Sequence, residues 1–350
     1  MSMSLLQGLL STPRKHGSIG EVATSRLLVN HYGFTEYQDD RKEALAYVQK
    51  VLNADNSESL VLWSCHIDTA HAEGAGTEQT ITFDTTDTMM AAAGTQPLGA
   101  DNGAGMWLLL EMIAAGVPGT YVFHRGEECG GVGSRGMAKW WPDLISKHTH
   151  AIAFDRKGRR DVITHQFMGR CCSEDFANQM CTLLDMGHEP DDGGTFTDTA
   201  SYVELIPECT NVSVGYDNEH TQHETLDLEY LSALRDRVIA VFVTPPVLII
   251  KRKVTDTDDD RYFGFEFEAG WGKKRYGKGW DGIDPADMAD YDVLDMSYTS
   301  LVKAIRENPE GYADLLVRFA EELTYMHEME DTEHEDTTPL TSDELSAIDR

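Results

Sequence analysis

Several features are missing or scarce in this chain of 350 residues, and each absence narrows what it can be. No apolar run approaches the roughly 20 residues of a membrane span. The opening MSMSLLQGLLSTPRKHG lacks a basic start followed by a long apolar core and a small-residue cleavage site, so neither membrane insertion nor secretion is expected. The six cysteines form no C-x-x-C pair, which argues against a disulfide framework or a cysteine-rich zinc module and for a reducing, cytoplasmic setting. Bases are few. Lys and Arg number 29 against 60 Asp and Glu, and the net charge of −31 repels nucleic acid and anionic membrane alike. No internal repeat is present.

What is present suits a globular protein: 41% hydrophobic residues can build one large domain with an appendage, or two domains. Ser18 and Glu21 in SIGE read as a capping box ahead of the helical pattern VATSRLLVNHYGF, whose end Gly33 marks. Short apolar runs follow at Leu60–Ser64, Tyr121–His124, Ala151–Phe154 and Val212–Gly215, alternating with helical patterns such as GMWLLLEMIAAG. That alternation predicts an α/β fold, a mostly parallel central sheet with helices on both faces. A closing helix over Leu226–Phe242 and the breaker Pro245–Pro246 put the end of this domain near residue 250. Residues 251–326 read as an aromatic and Gly-rich segment with a helical appendage, in which Asn308 and Pro309 start the second helix. Within it GWGKKRYGKGW alternates aromatics with bases, but on so acidic a body it reads as a peripheral hairpin rather than a nucleic-acid platform. Residues 327–350 have the composition of an acidic disordered tail; from Glu321 to Arg350 there are eleven acids and one base.

Every predicted strand delivers a histidine or carboxylate at the same edge, where open α/β sheets keep their ligands. The first leads to His66 and Asp68, the second to the adjacent pair Glu127 and Glu128, the third to Asp155, and the last through YDN to Glu219 and His220. Asp101 lies in the glycine-rich turn PLGADNGAG, just before a helix. Two histidines and three carboxylates make the nitrogen and oxygen set that a pair of divalent ions needs, with one carboxylate shared. In a turn, one of two adjacent glutamates can bind metal while the other serves as general base. A two-metal phosphoesterase would use similar groups but would also want bases at the phosphates, and these motifs hold only Arg125 and Arg135.

Taken in order, CHID, GADNGAG, EECGGVGSRG, AFD and EHTQHE resemble the five motifs of the co-catalytic di-zinc exopeptidases, from about residue 5 to 245. The resemblance implies the zinc-exopeptidase (phosphorylase/hydrolase-like) fold, with His66 and Asp155 on one ion, Glu128 and His220 on the other, and Asp101 bridging. It makes Asp68 the carboxylate that orients His66 and Glu127 the base that activates the attacking water. The ions would be Zn²⁺ first, with Co²⁺ or Mn²⁺ acceptable to the same ligands. Asp155 to His220 is 65 positions and Asp68 to Asp101 is 33, too few for the inserted domains of other branches, which leaves the compact aminopeptidase branch. Implied substrates are peptides or amino-acid amides cleaved at the N-terminal residue, since Arg125 and Arg135 are the only bases in these acid-rich motifs. A carboxypeptidase or an N-acyl amino acid deacylase on the same core is the alternative, and a non-catalytic metal-binding protein a remoter one. His71, His124 and His223 read as structural or as supports behind the ligands, Cys65 and Cys129 as packing residues, and Asp198 either as a cap or as part of a loop bordering the substrate. The oligomeric state is not legible.

Overall fold

The computed structural model describes residues 3 to 254, apart from 73, 167 and 168. The aromatic segment, the helix predicted from Asn308 and the acidic tail lie outside the described residues.

Eight strands form the main sheet: β1 (Thr35–Gln38), β2 (Ala44–Val51), β3 (Val61–His66), β4 (Gly119–His124), β5 (His150–Arg156), β6 (Asp161–Ile163), β7 (Glu189–Asp191) and β8 (Glu208–Ser213). They lie in the order β1-β2-β4-β3-β5-β8-β6-β7. The central strands β4, β3, β5 and β8 are mutually parallel, whereas β2 joins β4, and β6 joins β8, in antiparallel fashion. The prediction of a mostly parallel α/β sheet holds. A second, antiparallel sheet of four short strands (Ile81–Phe83, Met89–Ala92, Thr225–Asp227, Tyr216–Asp217) lies outside the expectation.

Alternation along each central strand builds a core on both faces, because successive side chains point to opposite sides. Val61, Trp63, Cys65, Tyr121, Phe123, Ile152 and Phe154 share one cluster with residues of α1 (Met3–Leu10), α3 (Ala100–Ala114), α6 (Glu174–Leu184) and α7 (Leu228–Phe242). Leu62, Val122 and Ala151 belong to the other, with Met137 of α4 (Val132–Trp140) and Ile145 of α5 (Pro142–Ile145). Helix α2 (Ile19–Asn30) begins at Ser18, whose side chain accepts from the Glu21 amide, but the reciprocal half of the capping box is absent. The Glu21 carboxylate instead accepts from Gly17 N at 2.7 Å and pairs with Arg125 at 2.6 Å.

Two strand boundaries differ from expectation. Strand β3 runs on to His66, which pairs in register with His124, so the histidine is the last strand residue rather than the first loop residue. The last parallel strand is Glu208–Ser213, not Val212–Gly215, because buried polar residues Glu208, Thr210 and Asn211 occupy its first half.

Candidate metal centre

At the carboxyl edge of β3, β4 and β5 the structure gathers His66, Asp101, Glu127, Glu128, Asp155 and His220. Asp101 stands in the middle. Its Oδ1 lies 3.0 Å from His66 Nε2, and its Oδ2 lies 3.2 Å from His220 Nε2. Asp155 Oδ1 is 3.3 Å from His66 Nε2, and Glu128 Oε2 is 3.1 Å from His220 Nε2. The five groups therefore fall into two sets, His66 with Asp155 and His220 with Glu128, joined through the two oxygens of Asp101. Donor atoms of His66, Asp101 and Glu128 all lie within 4.8 Å of one another.

Local structure holds each group. The His66 ring donates from Nδ1 to the Asp68 carbonyl at 3.0 Å, which leaves the Nε2 lone pair facing the carboxylates. The Asp68 carboxylate is farther, 3.6 Å from that nitrogen, and instead receives the amides of Glu127 and Glu128 at 3.1 Å each. Asp68 thus shapes the glutamate turn at least as much as it orients the histidine. Asp155 is fixed from three sides: Asn211 Oδ1 accepts from its amide at 2.9 Å, Tyr216 donates to its carbonyl at 2.9 Å, and Thr197 donates to Oδ2 at 2.6 Å. Asn102, joined to Asp101 by a cis peptide, donates to Asp155 Oδ1 and to the Phe154 carbonyl. A Cβ at Gly105 would run into that carbonyl and into Asn102, so glycine is required where α3 passes beneath β5. The amides of Gly99 and Asp101 both donate to Glu224, each at 2.9 Å.

The electrostatics call for positive charge here. Burial alone would lower His66, yet Asp155, Asp101 and Asp68 raise it well above an ordinary histidine. Hydrogen bonds to Asp101 and then Glu128 push His220 up to about 11. Burial pushes Asp155 up to about 6 and raises Glu128 and Glu127, while in Asp101 the two histidines overcome the burial effect and lower it. Protons on the imidazoles answer part of the demand, and cations among the same atoms would answer all of it. Glu128 Oε1 is buried with no hydrogen-bond partner, the condition of a carboxylate oxygen whose partner is an ion. The donor set, two imidazoles and three carboxylates, fits a pair of divalent cations. Glu127 stands apart from these five groups, its Oε2 being 3.9 Å from His66 Nε2, and it lines the adjoining cleft.

In overall shape the described chain resembles solved peptidases. It matches aminopeptidase PepT of Bacillus cereus at 14% identity over 69% of this chain and 98% of that one, with a TM-score of 0.52. A tripeptidase of Staphylococcus aureus matches at 13% identity, over 69% and 96%, with a TM-score of 0.55. An aminopeptidase of the archaeon Desulfurococcus kamchatkensis matches at 11%, over 69% and 94%, with a TM-score of 0.52. The fold is the one these peptidases share. Neither a family model nor a curated protein matches the sequence.

The other sequence candidates scatter. His71 is buried against Thr69 and Gln79, while His223 is exposed. His124 is buried, with Nε2 2.6 Å from the Tyr202 hydroxyl and Nδ1 3.2 Å from Asp198 Oδ2. Asp198 is fully buried and its side chain makes no cap, but the loop it follows, Gly194 to Phe196, lines the cleft beside the cluster. Cys65 packs in the core as expected, whereas Cys129 is exposed. Arg125 is taken by Glu21, and Arg135 lies over the Phe196 ring 5.6 Å from its centroid. The bases that line the cleft are Arg156 and Lys157, which the motif reading passed over.

Sequence reasoning also missed Arg14. Its fully buried guanidinium donates to the carbonyls of Ile67 and Gly99 at 2.8 and 3.1 Å, and also to those of Leu9 and Thr12, tying the first residues to the loops that carry Asp68 and Asp101. No local pattern marks it, because its partners are backbone oxygens remote in sequence.

Proposed function

We propose that this chain is a metal-dependent exopeptidase that removes N-terminal residues from peptides, with His66 and Asp155 holding one divalent ion, Glu128 and His220 a second, and Asp101 shared. The observation that carries the reading is Asp101, whose two oxygens face one histidine–carboxylate set each. Zn²⁺ is the first choice, and Co²⁺ or Mn²⁺ suit the same donors. Bound there, such ions supply Lewis-acid polarisation of a scissile carbonyl and acidify a water.

The chain's own residues supply the rest. Glu127 lines the cleft beside Asp101 and Asp155, and burial raises its carboxyl well above the ordinary range, which strengthens it as a base toward water. Asp68 fixes the backbone from which Glu127 and Glu128 project. The carboxylate-rich wall favours a substrate's free α-amine. Six free cysteines accord with a reducing, cytoplasmic setting.

The test combines chelation with a peptide panel. A chelator should abolish hydrolysis and added Zn²⁺, Co²⁺ or Mn²⁺ should restore it. Acetylating the substrate amine should slow turnover at least tenfold, about 1.4 kcal/mol of transition-state stabilisation. Faster turnover of N-acylated amino acids, or release of residues from the C-terminus, would replace this reading with the deacylase or carboxypeptidase alternative.

A further inference from the structure

The cleft beside the cluster is small, about 100 Å³ against the roughly 300–1,000 Å³ of ordinary ligand pockets. It has room for a residue or two of substrate. Ile163, Phe196 and Tyr216 give it an apolar side, and besides Glu127 three charged groups outside the metal set line it as well: Arg156, Lys157 and Glu219.

These charges differ in how firmly they are held. Arg156 is engaged by two carboxylates, Asp161 at 2.9 Å and Asp191 at 3.6 Å. Lys157 pairs with Glu219 at 2.7 Å, and its side chain is 51% exposed. An exposed ion pair of this kind is weak, so another carboxylate can take Glu219's place at little cost. Both members also sit close to the reacting centre in sequence. Lys157 is two residues beyond Asp155, about 7 Å of extended chain, and Glu219 directly precedes His220. A flexible ammonium at that remove from the scissile bond is placed to meet the far end of a short substrate.

We infer that Lys157 is a specificity-determining residue that reads the C-terminal carboxylate of a di- or tripeptide, with Glu219 as the resting counter-ion that the substrate displaces. This deepens the exopeptidase reading and rests on it. The substrate class becomes short peptides with both ends free, since a longer chain would carry its carboxylate past the ammonium.

The experiment compares alanylalanine, its C-terminal amide and the α-amide of alanylaspartate on the metal-loaded enzyme. Wild type should favour alanylalanine over its amide at least tenfold in kcat/KM, mainly through KM. In Lys157→Gln that ratio should fall to near one, and Lys157→Arg should restore most of it. Glu219→Gln should lower KM for alanylalanine, because the competing anion is gone. Equal turnover of acid and amide by wild type, or an unchanged ratio in Lys157→Gln, would overturn the inference. If the α-amide of alanylaspartate matched alanylalanine in a Lys157-dependent way, the residue would read a side-chain carboxylate and the C-terminal assignment would fall. A binding arm separates this inference from the peptidase reading. In a Glu127→Gln background, calorimetry should find alanylalanine bound at least tenfold tighter than its amide, and a second change at Lys157 to Gln should erase the difference. Absence of turnover with every peptide would count against the peptidase reading, while the binding ratio would still decide the role of Lys157.

Discussion

At the scale of single residues, the adjacent pair Glu127 and Glu128 concentrates the chemistry. Their amides both donate to Asp68, so the turn is set through the backbone and the two side chains can point to different tasks. Glu128 reaches His220 at 3.1 Å within the donor cluster, and Glu127 stays 3.9 Å from His66. Glu127→Gln should therefore keep its metal content while turnover falls by roughly 10²–10⁴. Glu128→Gln should lose metal. Metal analysis alongside peptide turnover checks both, and loss of metal in Glu127→Gln would reverse the two roles. The members of the cluster were legible in sequence because they are chemistry-bearing residues placed just after apolar runs. Their supports were not. Thr197, Asn211 and Arg14 act through hydrogen bonds that include partners tens of residues away, and nothing in their neighbourhoods distinguishes them from ordinary polar residues; Glu224, which receives the amides of Gly99 and Asp101, is the exception, standing last in EHTQHE.

At the scale of elements, apolar runs revealed the central strands, and their edges went astray where hydrogen bonding rather than hydrophobicity sets the end. In β8, Glu208 is buried because it accepts from Ser173, Lys251 and Arg252, so half of a buried strand looks polar. The small antiparallel sheet escaped because its strands are two to four residues long, too short for periodicity to register. A tie between elements gives a second prediction. Tyr230 of α7 donates its hydroxyl proton to the Ser213 carbonyl at 3.1 Å, so His188, just before β7, must donate from Nε2 to that hydroxyl at 2.8 Å. Its Nδ1 is buried without a partner, and a proton added there would find no acceptor. Burial accordingly lowers His188 to about 4, despite the opposing pull of Asp161. The unfolded chain takes up that proton near pH 6.5 and the folded protein does not, so stability from this group is present above pH 6.5 and lost as pH falls toward 4. His188→Gln should then cost more at pH 7 than at pH 5 in urea unfolding. An equal cost at the two values would show that the folded histidine titrates normally.

At the scale of the whole molecule, the charge of −31 is the dominant sequence feature, and part of it is concentrated where the composition gives little to bury. Residues 327 to 350, outside the described part of the chain, carry nine acids and one base. That composition leads to the expectation that the segment has too little apolar surface to offset the ordering entropy of its backbone. Like charges on such a segment and on the rest of the chain would repel, but at about 0.15 M salt interactions beyond roughly 8 Å are largely screened. Two consequences follow for a chain ending at residue 326. At physiological salt its melting temperature and peptide turnover should match those of the full chain, because neither packing nor unscreened repulsion is lost. At about 0.01 M salt, where screening extends only beyond roughly 30 Å, the shortened chain should melt at the higher temperature, since self-repulsion destabilises a compact state. Thermal unfolding and kcat/KM of both chains at the two salt concentrations provide the check. A drop of several degrees or a loss of turnover at 0.15 M would mean that the acidic segment packs on the body or reaches the metal centre.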